Sequence, residues 1–92
     1  MGRFRIELAP AAARDLDDLE MRMATKIISD LKLLEENPFP KGKLIRKLKG
    51  KPASFYRLRV DKFRVFYEIK GMNITVLRVV GKKEADRFIK GL

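Results

Sequence analysis

The stretch SFYRLRVDKFRVFYEIKG, residues 54–71, decides the fold. It reads as two strands, Phe55 to Val60 and Phe63 to Lys70, joined by the short link Asp61-Lys62. Side chains alternate across a strand. Tyr56, Leu58 and Val60 therefore share one face, matched by Phe63, Val65, Tyr67 and Ile69, and these are core faces. The other face carries Arg57, Arg59, Arg64, Phe66 and Glu68. An antiparallel sheet often leaves one face wet, so a solvated surface is the ordinary reading of such a row. Three features argue for more. Arg57 and Arg59 lie two apart on one strand, and parity about the link sets Arg64 beside them. Such crowding of like charge costs stability unless an anion answers it. Phe66 among them is expected to be exposed and to stack on a base. Lys82 and Lys83 add cations at the rim where the following strand ends.

Outward from the hairpin, the flanks supply a sheet and its helices. Arg3 to Leu8 alternates, with Phe4, Ile6 and Leu8 on one side, and reads as a half-buried strand. Pro10 opens a helix at a favoured first-turn position. Leu16, Leu19, Met23, Ile27, Leu31 and Leu34 follow at helical spacing until Asn37-Pro38 stops the pattern. One helix over 11–36 would be about 39 Å long, and a domain of this size is only about 30 Å across. A break near Glu20-Met21-Arg22 is expected, giving an antiparallel helix pair. Met21 and Met23 read as packing residues, and Asp15, Asp17 and Asp18 as the outer face and first turn of a helix. The lysine-rich stretch 41–52 holds a short edge strand over 44–48, anchored by Leu44, Ile45 and Leu48. After the hairpin, Gly71-Met72-Asn73 turns into a β-branched strand, Asn73 to Val80, which Gly81 ends. Lys82 to Gly91 reads as a short helix with Ala85, Phe88 and Ile89 as its contacts. The expected fold is α+β in the order β-α-α-β-β-β-α: an antiparallel sheet of about four strands, an N-terminal helix pair on one face and a short C-terminal helix.

Composition narrows the chemistry. The 92 residues make one domain, 1–92. There is no cysteine and no histidine. That removes disulfides, the usual zinc ligands and the commonest general base. No cofactor and no metal are expected. The formal charge of +10 implies a polyanionic partner, with nucleic acid first. Neither a membrane-spanning run nor a signal-peptide pattern is visible, so the expected location is cytoplasmic, with no membrane partner.

The stretches KLKG (47–50), YRLRV (56–60), FRVFYEI (63–69) and VVGKKEADRF (79–88) together resemble the RelE/ParE toxin superfamily, RelE-like branch. The resemblance spans almost the whole chain. It implies the toxin of a toxin–antitoxin pair: a ribosome-dependent endoribonuclease that cleaves mRNA in the A site and arrests translation. Its implied partners are a cognate protein antitoxin, the ribosome and mRNA. ParE-like members act on DNA gyrase instead and lack the basic catalytic set. A catalytically weak RNA- or ribosome-binding member is a further alternative.

Carried over by position, the implied catalytic set is Arg57, Arg59, Arg64 and Lys83. Arg57 and Arg64 would clamp the phosphate, Arg59 would assist and Lys83 would serve as the acid. Lys47, Lys49, Phe66, Lys82 and Arg87 are the expected RNA or ribosome contacts. Two departures from the family pattern stand out. Lys83 occupies a place that is usually Arg, and Arg87-Phe88 stand where relatives carry Tyr.

Overall fold

A computed structural model describes residues 3–51 and 54–92. Pro52, at the end of the lysine-rich stretch, lies outside them. The elements in chain order are β1 (Arg5–Leu8), α1 (Pro10–Asp17), α2 (Met21–Leu34), β2 (Ile45–Lys47), β3 (Phe55–Val60), β4 (Phe63–Lys70), β5 (Asn73–Gly81) and α3 (Lys82–Lys90). The strands form one sheet in the order β1-β5-β4-β3-β2.

Two expectations need correction. The sheet has five strands, and it is mixed, because β1 lies parallel to β5 while the other pairs are antiparallel. Alternation in Arg3 to Leu8 announces a strand but carries nothing about its partner. The pairing follows from the chain path, which places Arg5 opposite Asn73 and Leu8 opposite Val76 at the outer edge of β5.

The helical run breaks at Asp18–Glu20, just ahead of the expected place. The longest extent of the molecule is 34 Å, shorter than an unbroken helix would be. Met21 opens α2 and is 83% exposed, so it packs into nothing; Met23 is half-buried against the core. Leu16, Ile27, Leu31 and Leu34 enter the core, with Leu19 packed against it. They meet Leu58, Val60, Val65, Tyr67, Ile74, Val76 and Val79 from the sheet.

The loop after α2 is pinned to this core. The Tyr67 hydroxyl, fully buried, donates to the Pro38 carbonyl at 2.6 Å. Burial, then the neighbouring Tyr56, raises the Tyr67 pKa well above the ordinary phenol range. The ring stacks on Tyr56, which meets Phe39 edge-on. Tyr67→Phe leaves the carbonyl without its partner. We expect a loss of about 1–2 kcal/mol, read as a lower urea midpoint at unchanged slope. A midpoint equal to the parent's would show that the bond contributes nothing.

A second, smaller core lies on the opposite face of the sheet. Leu48, Phe66, Val80 and Ala85 are buried there, with Phe55, Phe88 and Ile89 packed around them. This is the work of α3. It leaves Gly81 at the end of β5 and crosses the sheet diagonally over Val80, Phe66 and Phe55 toward Leu48. Near its far end the Lys51 ammonium donates to the Leu92 carbonyl. Helices therefore cover both faces, and the face expected to be wet is only partly open.

A guanidinium patch bounded by the C-terminal helix

Strand register settles which side chains share the open face. Residues directly opposite one another on paired strands point the same way. One row across the sheet reads Arg46, Arg57, Phe66, Arg78, and the next reads Arg59, Arg64, Val80. The diagonal of α3 covers Phe66 and Val80. It leaves Arg46, Arg57, Arg59 and Arg64 together on one side, toward the Asp61-Lys62 turn.

Phe66 is the clearest correction. It is 0% exposed and its ring sits 4.8 Å from that of Phe88. A base cannot stack on it while α3 is docked. Phe88 packs, partly buried, against the same core with the Arg78 guanidinium 5.9 Å above its ring.

The expected arginines are together, but not alike. Arg59 is exposed and stands directly across from Arg64. Arg64 is only 8% exposed. It folds back to donate through Nη1 to the Asp61 carbonyl at 3.1 Å and the Phe63 carbonyl at 2.9 Å. Asp61 has φ +54°, a left-handed conformation unusual for a residue other than glycine. Arg64 thus braces the turn as well as charging the face, and it is not the free projecting group that strand parity implies. Arg57 is half-buried; Nη2 donates to the Lys43 carbonyl at 3.1 Å, while the buried Nε has no partner. Burial first, then Arg64, Arg46 and Arg59, lower its pKa from the ordinary guanidinium value.

No carboxylate lies within ion-pairing distance of these four arginines among the described residues. Glu68, on the same face, pairs with Lys70 at 3.8 Å. The contrast is Arg78, in the same row as Arg57. Asp15 accepts from its Nε at 2.7 Å and its Nη2 at 3.1 Å, and this hydrogen bonding raises the Arg78 pKa. Asp15 also accepts from the Val79 backbone N–H at 2.8 Å. That group points off the edge of β5 where β1 has already ended, just past a register shift between Phe66 and Tyr67. Asp15 is therefore not an outward helix residue; it holds the end of β5 and neutralises its arginine.

The remaining expected contacts are dispersed. Lys82 and Lys83 occupy the first turn of α3 and line a hollow with Lys62, Phe63 and Glu84, at the same end of the sheet as Arg59 and Arg64. Lys47 is paired with Tyr56, so it belongs to the face opposite Arg46. Lys49 lies in the loop beyond it; both lysines line a hollow with Leu48 and Lys51 at the far end of the sheet. Arg87 lines a cleft of about 490 Å³ between α1 and α3 with Asp15, Asp18 and Glu84. It sits among carboxylates rather than with the four arginines. Arg46 is the residue that sequence reasoning missed. Among the described residues, no cluster of three or more His, Cys, Asp or Glu side chains could hold a metal ion, and no helix is long and apolar enough to cross a membrane.

A family model for the ParE toxin of type II toxin–antitoxin systems matches residues 6–86. A protein of Methanocaldococcus jannaschii that bears the name toxin RelE1 is 33% identical over 84 residues, covering 89% of this chain and 92% of that one. The chain belongs to the RelE/ParE toxin superfamily. It is thereby a toxin of the toxin–antitoxin class. The fold agrees with solved members. A mutant of E. coli toxin RelE in the free state superimposes with a TM-score of 0.76 at 17% identity, over 96% of this chain and 92% of that one. An archaeal RelE–RelB complex from Pyrococcus horikoshii gives 0.74 at 22% identity, over 87% of this chain and 96% of the matched chain.

Proposed function

We propose that this RelE/ParE-superfamily toxin is a ribosome-dependent endoribonuclease that cleaves mRNA in the A site, restrained by a cognate antitoxin in the cytoplasm. The observation that carries the reading is the patch of four guanidiniums on one sheet face, with no carboxylate among the described residues to answer them. Repulsion of this kind is relieved by a phosphodiester backbone. In the reaction, the RNA 2′-OH gives its proton to a base supplied by the ribosome, since this histidine-free chain offers none, and its oxygen bonds to phosphorus. The bond from phosphorus to the 5′ oxygen then breaks, and that oxygen takes up a proton. The dianionic phosphorane between these steps is what fixed cations stabilise. Arg57 and Arg59 meet it, Arg64 contributes charge from its braced position, and Lys83 donates the proton. An arginine carries protons poorly because its pKa exceeds about 12. The burial of Phe66 removes a base-stacking platform from the patch, so the ribosome must orient the codon.

A non-catalytic action on DNA gyrase is the second reading, and the ParE name of the matching family favours it. Primer extension on mRNA in a translating extract separates the two. Cleavage of ribosome-bound but not free mRNA is the expected result. Cleavage of both, or accumulation of broken gyrase–DNA complexes with intact mRNA, overturns it. Relatives solved as RelE–RelB complexes support the antitoxin. Adding the co-expressed product of the adjacent gene is expected to stop cleavage.

A further inference from the structure

We propose that Arg46 is a phosphate-binding residue of the patch, carrying it across to the β2 edge of the sheet. The ligand class is the single-stranded RNA backbone. The inference rests on the RNA-facing reading above and adds to it a contact at a phosphate beside the one that reacts.

The ordinary reading of Arg46 is edge protection. Charged residues on an edge strand discourage pairing with a second chain. Lys43 and Lys47 already place charge along this edge, and neither faces another cation on a paired strand. Arg46 stands directly across from Arg57. That is an unfavourable position for a cation, since its partner is half-buried and flanked by Arg59 and Arg64. Arg46 is second only to Arg64 among the charges that depress the Arg57 pKa. A protective charge gains nothing from this placement; an anion site does.

The side chain of Arg57 points the same way. Its guanidinium leans over β2 to reach the Lys43 carbonyl, and that is its one described hydrogen bond. Its Nε is buried without a partner. A phosphate seated between Arg46 and Arg57 would draw this guanidinium outward, exchanging one bond for two and relieving the repulsion across the strands. Arginine forks are suited to that geometry. Arg78 shows what this fold does with a row arginine that has a structural job: it provides Asp15. Arg46 and Arg57, in the same row, receive no carboxylate among the described residues.

The test is binding of a short, fluorescein-labelled oligouridylate with 2′-O-methyl sugars, which cannot be cleaved, across a salt series. Each phosphate contact on a single strand contributes about 0.7 to the slope of log K against log salt. Arg46→Ala is expected to flatten the slope by about that amount and to weaken binding about fivefold at low salt. Arg46→Lys keeps the slope. Arg22→Ala, which removes an exposed arginine from α2, leaves it unchanged. Melting confirms that the variants fold. In ribosome-dependent cleavage, Arg46→Ala raises KM and leaves kcat unchanged. Equal slopes for Arg46→Ala and wild type overturn the proposal, as do equal losses in Arg46→Ala and Arg22→Ala, or no salt-dependent binding by wild type. A slope lost only in Arg46→Ala, by a protein that cleaves no ribosome-bound mRNA, sinks the ribonuclease reading and leaves Arg46 standing.

Discussion

Phe66→Ala is expected to destabilise the protein by about 3–5 kcal/mol, the range for emptying a buried phenylalanine site. A domain of this kind has only about 5–15 kcal/mol in total. Phe66 is the middle plate of the smaller core: Leu48 and Val80 lie around it, Ala85 and Phe88 above it. On the same face of β4, Glu68 pairs with Lys70 and Arg64 bonds to the turn, while Phe66 is the β4 residue placed in this core. The cavity therefore opens under α3, and that helix should loosen first. The measurements are the urea midpoint and amide exchange of Ala85 to Ile89 compared with the β4–β5 strands. A wild-type midpoint combined with weakened RNA binding would reverse the assignment, since that is how an exposed stacking residue behaves.

The same residue shows how much could be read from the chain alone. Period-two alternation in 55–70 identified both faces of the hairpin, and register confirms that Arg57, Arg59, Arg64 and Phe66 share one of them. The signal that this face is not wholly wet was also present. Phe55, Phe66 and Val80 are three large apolar groups on it, matched by an apolar stripe at Ala85, Phe88 and Ile89. Periodicity says that a helix needs a partner and leaves open which face supplies it. Arg46 escaped for a different reason. Leu44, Ile45 and Leu48 do not alternate, so the parity of the edge strand is undefined until it is paired with β3. The ion pair of Asp15 with Arg78 spans 63 residues and depends on a register shift in β5, and no local pattern encodes that distance. Carried-over positions are limited for the same reason. They name residues on a strand, not that Arg64 would turn back to the Asp61 and Phe63 carbonyls.

Arg57→Ala is expected to slow ribosome-dependent cleavage about a hundredfold, on the order of 3 kcal/mol of lost transition-state stabilisation. Arg57 is the better probe of the patch than Arg64, whose removal also takes two hydrogen bonds from a strained turn. Removing Arg57 loses one bond to the Lys43 carbonyl, at a cost of about 1.5 kcal/mol or more for a charged donor. Against that, it removes a half-buried cation and its repulsion with three neighbours. Stability should therefore change little. Arg57→Lys restores the charge without the fork: an ammonium cannot meet a phosphate with two parallel bonds. It should recover part of the rate, and its deficit should lie in kcat, because the phosphorane carries more charge than the bound ground state. Single-turnover cleavage on programmed ribosomes measures the rate, and thermal melting provides the fold control. Full cleavage by a well-folded Arg57→Ala protein would take the patch out of the chemistry and leave its four arginines to binding alone.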